Sequence, residues 1–223
     1  MAGLRESYRR DLQDLHDQVL VLGSMVDKAL ERSVESLRRL DFALAERVID
    51  EDRAVNRKRF EIEEQAIRLI ATQQPMASDL RAIVAVLNII VDLERIGDYA
   101  VGNARITLRH RDRELLKPLI DIPRMADRAR EMLRQALDAF LVRDAARARR
   151  IVREDDEVDA LYEQIYRELL TFMLNDPQTI DRATWLMWVA HNLERCADRV
   201  TNICERIVYE ATGRMEEIGA STY

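Results

Sequence analysis

The sequence predicts an all-α protein made of two tandem three-helix bundles, six helices in all. Three observations predict it. Only 6 Gly and 4 Pro punctuate 223 residues, and the long stretches between them repeat apolar residues at a helical period, with no strand-like alternation. Hydrophobic residues make up 48% and charged residues 34%, the balance of a soluble globular chain able to bury one large core or two small ones. The third observation is a repeated segment: Asp92-Leu93-Glu94-Arg95-Ile96-Gly97-Asp98 returns 100 residues later as Asn192-Leu193-Glu194-Arg195-Cys196-Ala197-Asp198.

The first helix is expected over about 4–40, where Leu15, Val19, Leu22, Val26, Leu30 and Leu37 form one apolar stripe. A second spans about 44–72 and stops ahead of Gln73-Gln74-Pro75, because the residue before a proline is pushed out of the helical region. Ser78 is the expected N-cap of a third helix that runs to about residue 109. The periodicity lapses around Pro118 and Pro123, so the repeats are divided there into 1–112 and 113–223. The second half repeats the plan with helices over about 123–142, 144–174 and 180–212, a turn at Asn175-Asp176-Pro177, and a frayed tail beyond Gly213. Pro75 then matches Pro177, Glu51-Asp52 matches Glu154-Asp155, and Asn56 matches Asp159. The two third helices share a face of small and aliphatic residues, on which Gly97 corresponds to Ala197 and marks close backbone packing.

Composition narrows the function classes. The net charge is −6 with basic residues interleaved among acids, which argues against nucleic acid as a partner, since phosphate backbones are bound by concentrated Lys and Arg. The first residues, with Arg5, Glu6, Arg9, Arg10 and Asp11, lack the apolar core of a signal peptide. The longest apolar run, residues 83–91, is interrupted by Asn88 and is far shorter than the ~20 residues of a membrane span. A cytoplasmic location is expected. Cys196 and Cys204 fall eight residues apart on one helix, too far apart to bridge, and read as small core filler in a reducing compartment.

The candidate site rests on spacing. Glu94 with Asp98, and Glu194 with Asp198, are four residues apart and so lie one turn apart on one helix face. In an antiparallel hairpin, residues equidistant from the turn meet. Asp52 and Asp98 each lie 23 residues from Pro75, and Asn56 and Glu94 each lie 19 from it. The second hairpin pairs Asp155 with Asp198 and Asp159 with Glu194 about a midpoint between Asp176 and Pro177. Carboxylates meeting at a helix interface repel, so they take up protons or gather a cation. Two kinds of cation remain open. Arg53, Arg95, Arg153, Arg195 and Arg199 are near enough in sequence to form an ion-pair network. All-oxygen ligands otherwise favour Mg²⁺, Ca²⁺ or Mn²⁺, with iron possible, and His191 stands one turn before Glu194 as a nitrogen donor.

With two copies of Leu-Glu-Arg-x-x-Asp, at 93–98 and 193–198, and Asp79-Leu80-Arg81 after a proline turn, the chain resembles the PhoU family of bacterial phosphate-uptake regulators. The resemblance runs from about Leu15 to Tyr209. It implies two similar three-helix bundles, often dimeric, with multinuclear metal clusters held by acid pairs. Carried onto this sequence, those pairs are Glu94 with Asp98, Glu194 with Asp198, and Asp155 with Asp159; Asp52 departs from the pattern because Asn56 follows it. The implied cofactors are iron, zinc, magnesium, manganese or calcium ions. The implied role is non-catalytic: a negative regulator joining a phosphate ABC transporter ATPase to a sensor histidine kinase, and reaching the membrane only through those partners.

Two other readings compete. A di-iron carboxylate enzyme needs Glu-x-x-His on two helices, and Gln13, Thr107 and Trp188 stand where His16, His110 and His191 would need glutamate. The alternative is a purely structural adaptor whose acids pair only with arginine. No glycine-rich phosphate loop is present.

Overall fold

The computed structural model describes residues 2–218. Among the described residues the chain is all-helical: α1 (Ala2–Arg39), α2 (Phe42–Gln73), α3 (Ser78–Arg109), α4 (Asp121–Val142), α5 (Ala145–Val152), α6 (Asp155–Asn175), a 3₁₀ turn (Pro177–Thr179) and α7 (Ile180–Thr212). These make six rods, because α5 and α6 continue one another as the fifth. α1, α2 and α3 pack together, as do α4, α5/α6 and α7, and the two sets join where α3 lies on α7 and α1 on α4. One continuous apolar core runs through both. The α1 stripe from Leu15 to Leu37 is buried to 1% exposure or less, so the helical period alone placed that face inward.

Both halves turn from their first rod into their second in the same way. Leu40 and Arg143 take left-handed backbone, with φ of 51° and 54°. The aspartate that follows caps the next helix: Asp41 Oδ1 accepts from the Leu44 amide at 2.9 Å and Asp144 Oδ1 from the Arg147 amide at 2.8 Å. Ser78, the expected cap of α3, is instead its first helical residue. Ala77 occupies the cap position at φ 46° with no side-chain hydrogen bond, and the Met76 and Ala77 carbonyls take the amides of Asp79 and Arg81.

The fifth rod, expected as one helix, breaks at Arg153-Glu154, where the amides turn to carbonyls three residues back. Four consecutive acids, Glu154 to Glu157, begin there. Set at the start of a fresh helix, Asp155, Asp156 and Glu157 face its positive N-terminal end instead of repelling one another in a helix interior.

Gly97 does mark close packing, but against α2 and α1. A Cβ there would sit 3.4 Å from Val55 Cγ1 and 3.7 Å from Asp52 Oδ1. The α3–α7 crossing is instead stitched by polar side chains. Asn192 Nδ2 donates to Asn103 Oδ1 at 2.9 Å, and buried Asp92 receives Arg199 Nη1 and Asn202 Nδ2, both at 3.4 Å. Cys196 and Cys204 are free and buried, and burial raises both thiol pKa values.

The tail is not frayed up to residue 218. Arg149 holds Glu216 at 2.8 Å and the Ile218 amide donates to Glu205 at 3.1 Å, contacts no local sequence pattern announces. Among the described residues, no helix is long and apolar enough to cross a membrane.

Candidate metal centre

Each hairpin, α2–α3 and α6–α7, brings acids from its two rods within electrostatic range. In the first, Asp52 of α2 is close enough to Asp98 and Glu94 of α3 to be repelled by both. Asp52 Oδ1 lies over Gly97, 3.7 Å from where a Cβ would stand, so the two helices meet at ordinary contact distance at that level. Asn56, one turn along, donates from Nδ2 to Asp52 Oδ2 at 2.8 Å. Its amide thus relieves the charge that a fourth carboxylate would have added.

Burial raises the Asp52 pKa, and Asp98 adds to the shift; the Asn56 hydrogen bond and Arg105 oppose it. Glu94 is likewise raised by burial and then Asp98, against Arg95 and Arg59. The side chains of Glu94 and Asp98 keep 22% and 43% of their surface exposed. Arg95 reaches both, with Nη1 3.5 Å from Asp98 and Nε 3.9 Å from Glu94.

The second cluster is deeper and more strongly charged. Glu194 and Asp198 of α7 are 12% and 31% exposed, and Asp155 and Asp159 face them from α6. Asp155 is pushed up to about 7, first by burial, then by Asp159, Asp198, Glu194 and Asp156. Burial also raises Asp159, helped by Asp198 and Asp156, and Glu194, helped by Asp198 against His191 and Arg195. Asp198 is raised by burial against Arg195, Arg199 and His191. Arg195 Nη1 binds Asp198 at 2.6 Å. Among the described residues, buried Asp155 Oδ1 and Glu194 Oε2 have no hydrogen-bond partner. His191 Nδ1 lies 3.2 Å from Glu194 Oε2 on the half-exposed rim, out of line for a hydrogen bond.

The arginine network is therefore partial. Arg95 and Arg195 each engage the aspartate three residues on, Arg199 turns to Asp92, and Arg53 and Arg153 make no ion pair among the described residues. Among the described residues, no three acidic, cysteine or histidine side chains gather tightly enough to ligate one ion as they stand. Closing the acids around a cation requires side-chain rotation. The donor set fits a hard cation, since four carboxylates share one directly bound arginine and two buried oxygens lack donors.

Sequence reasoning passed over Asp156, whose charge adds to the second cluster, and Arg59 and Arg105, which offset the first. Arg59 was findable: it lies 16 residues before Pro75, which mirrors Val91, one turn from Glu94.

Comparison with known proteins agrees with this two-part architecture. The PhoU domain family model matches residues 19–107 and 122–207, one stretch in each half. The chain belongs to the PhoU family. It is 36% identical over 215 residues to the phosphate-specific transport system accessory protein PhoU homolog of Clostridium acetobutylicum, covering 96% of this chain and 98% of that one. It is 37% identical over 207 residues to the phosphate-specific transport system accessory protein PhoU of Escherichia coli, covering 93% and 86%. The crystal structure of the phosphate transport system regulatory protein PhoU from Streptococcus pneumoniae superposes with a TM-score of 0.88 at 30% identity, over 94% of this chain and 99% of that one. PhoU from Pseudomonas aeruginosa also gives 0.88, at 33% identity over 93% and 100%.

Proposed function

We propose that this PhoU-family chain is a non-catalytic accessory and negative regulator of a phosphate-specific transport system, and that its carboxylate clusters bind metal ions. Family membership supports the first part: the relatives in Clostridium acetobutylicum and Escherichia coli are named as accessory proteins of such a system. The observation that carries the second is the α6–α7 cluster, where Asp155, Asp159, Glu194 and Asp198 converge and buried Asp155 Oδ1 and Glu194 Oε2 lack donors. An oxygen-only set favours magnesium, manganese or calcium, with iron and zinc the further candidates; His191 would add a nitrogen. The first cluster, Asp52, Asn56, Glu94 and Asp98, would bind more weakly because an amide replaces one acid. In this reading the chain acts in the cytoplasm, as a homodimer, between the transporter ATPase and a sensor histidine kinase.

Elemental analysis of gently purified protein tests the metal, with bound metal expected in the wild type and lost from the second cluster in the Glu194→Ala, Asp198→Ala double variant. Wild-type metal content in that variant removes the ligand assignment. Deleting the chain from its host tests the role: a phosphate-starvation reporter is expected to switch on in phosphate-rich medium, and an unchanged reporter rejects negative regulation. The Arg95–Asp98 and Arg195–Asp198 pairs favour a second reading, a structural adaptor without metal. Thermal stability unchanged by a chelator would support it.

A further inference from the structure

Alongside the C-terminal half of α7 runs a polar groove of about 480 Å³, floored by Arg195, Arg199, Asn202 and Arg206, with Asp198 and Glu205 beside them, and walled by the tail residues Met215, Glu216 and Glu217. The floor residues recur along one side of the helix, so the groove follows its axis. Two of the three arginines are engaged, Arg195 by Asp198 at 2.6 Å and Arg199 by Asp92 at 3.4 Å. Arg206 is half-buried and makes no ion pair or hydrogen bond among the described residues. Its charge is felt by Asp92, but its N–H donors are not taken up by any acceptor among the described residues, so they remain available to an incoming carboxylate.

The tail shows what kind of segment fits. Beyond the left-handed cap at Gly213, with φ of 75°, the chain leaves the helix and lies back along it without secondary structure. Glu216 pairs with Arg149 of α5 at 2.8 Å, the Ile218 amide donates to Glu205 at 3.1 Å, and the Ile218 side chain packs on the core. Two acids followed by an aliphatic anchor thus sit beside a floor of mixed charge in which Arg206 is the arginine left without an ion pair among the described residues. The seat is light: the Arg149–Glu216 pair is more than a third exposed on both sides, and such pairs contribute little. Glu217 is exposed and leaves Arg206 unpaired.

We propose that this groove is a docking site for an acidic peptide segment of a partner protein, ending in an aliphatic anchor, and that the chain's own tail occupies it as a tethered competitor. A partner segment that pairs with Arg206 as well as Arg149 gains a contact the tail does not make, and so displaces it. The inference goes beyond the role proposed above; one end of the groove shares Arg195 and Asp198 with the second acid cluster, while its test turns on Arg206 and Glu216, which belong to neither cluster.

Fluorescence anisotropy with a labelled peptide of residues 213–218 tests it. A tail on so short a linker competes at an effective concentration on the order of millimolar. A peptide with a dissociation constant near 0.1 mM for the bare groove should therefore bind the intact chain about tenfold more weakly. The chain truncated after Gly213 is expected to show that tenfold gain. Arg206→Glu in the truncated chain is expected to remove it, and a peptide with both glutamates changed to lysine is expected not to bind. Glu216→Arg in the full-length chain, which leaves every helix intact, is expected to open the groove to the wild-type peptide if truncation harms folding. Equal binding by intact, Glu216→Arg and truncated chains overturns the proposal. So does equal affinity for the lysine peptide, or tighter binding of inorganic polyphosphate than of the acidic peptide.

Discussion

The two acid clusters descend from one repeated plan, yet they differ in depth and in charge. The α2–α3 cluster replaces its fourth acid by Asn56, whose amide donates to Asp52 at 2.8 Å. It also leaves Asp98 of α3 43% exposed, and the α2 that faces it is unbroken. The α6–α7 cluster keeps all four acids, exposes the corresponding Asp198 by 31%, and starts a new helix at Asp155. A single change of carboxylate to amide converts a repulsive pair into a hydrogen bond. Repulsion kept in the second cluster is energy that a bound cation releases, so the two are expected to differ in metal affinity in that direction.

The largest effect expected is loss of metal from the deeper cluster. In the Glu194→Ala, Asp198→Ala variant, metal should raise the melting temperature much less than in the wild type, which should gain roughly 2–3 kcal/mol at a hundredfold excess over the dissociation constant. Scanning calorimetry with and without metal measures both, and an undiminished shift in the variant removes the distinction between the clusters. Next comes Asn56→Asp, which rebuilds the second cluster's charge in the first. It should raise first-cluster affinity about tenfold by titration calorimetry and destabilise the metal-free chain by roughly 1 kcal/mol through the lost hydrogen bond.

Acidity sharpens the comparison further. A carboxyl raised in the fold favours the folded state while protonated, so its contribution is full below the ordinary carboxylate value and is lost as pH rises through the folded one. For Asp155, at about 7, that window runs from roughly pH 4 to above pH 7. Metal-free protein should therefore lose stability across it, and Asp155→Asn should flatten the slope and stabilise the chain at pH 8 by roughly 1–2 kcal/mol, allowing for its partial solvent screening. Glu210, also near 7 and buried against Arg143 and His16, contributes the same sign elsewhere in the fold. The informative quantity is accordingly the difference between wild type and Asp155→Asn in urea melts over pH.

The smallest effect belongs to Gly97→Ala. Its Cβ would meet Val55 at 3.4 Å and Asp52 at 3.7 Å, so the helix-propensity gain of up to about 1 kcal/mol should be largely kept. Gly23→Ala, whose Cβ would run into the tip of the Leu137 side chain, should instead force that leucine to move and give back part or all of the gain, about 1 kcal/mol. Equal thermal melts for the two would contradict this difference between the α2–α3 and α1–α4 contacts.

Much of this was legible in residues alone. The apolar stripe of α1, the proline turns and the doubled Leu-Glu-Arg-x-x-Asp motif placed six rods, because a helix reports its own period and its breakers locally. Equal distances from Pro75 brought Asp52 level with Asp98, since both rods of a hairpin rise by the same ~1.5 Å per residue. Ser78 misled as a cap because the turn carbonyls of Met76 and Ala77 already served the first amides of α3. The break at Glu154 was missed because helical spacing on either side of it is unchanged.

What the sequence determined by itself was local or symmetric: which faces are apolar, where the rods turn, and which acids share a height. What only the tertiary structure decided was depth and partnership: that Glu194 is buried while Asp98 is exposed, that Asn56 serves Asp52, that Arg199 leaves the acids for Asp92, and that the tail returns to α7. The physical reason is that burial and pairing depend on surfaces brought together from distant parts of the chain, and side-chain spacing along one helix carries no record of them.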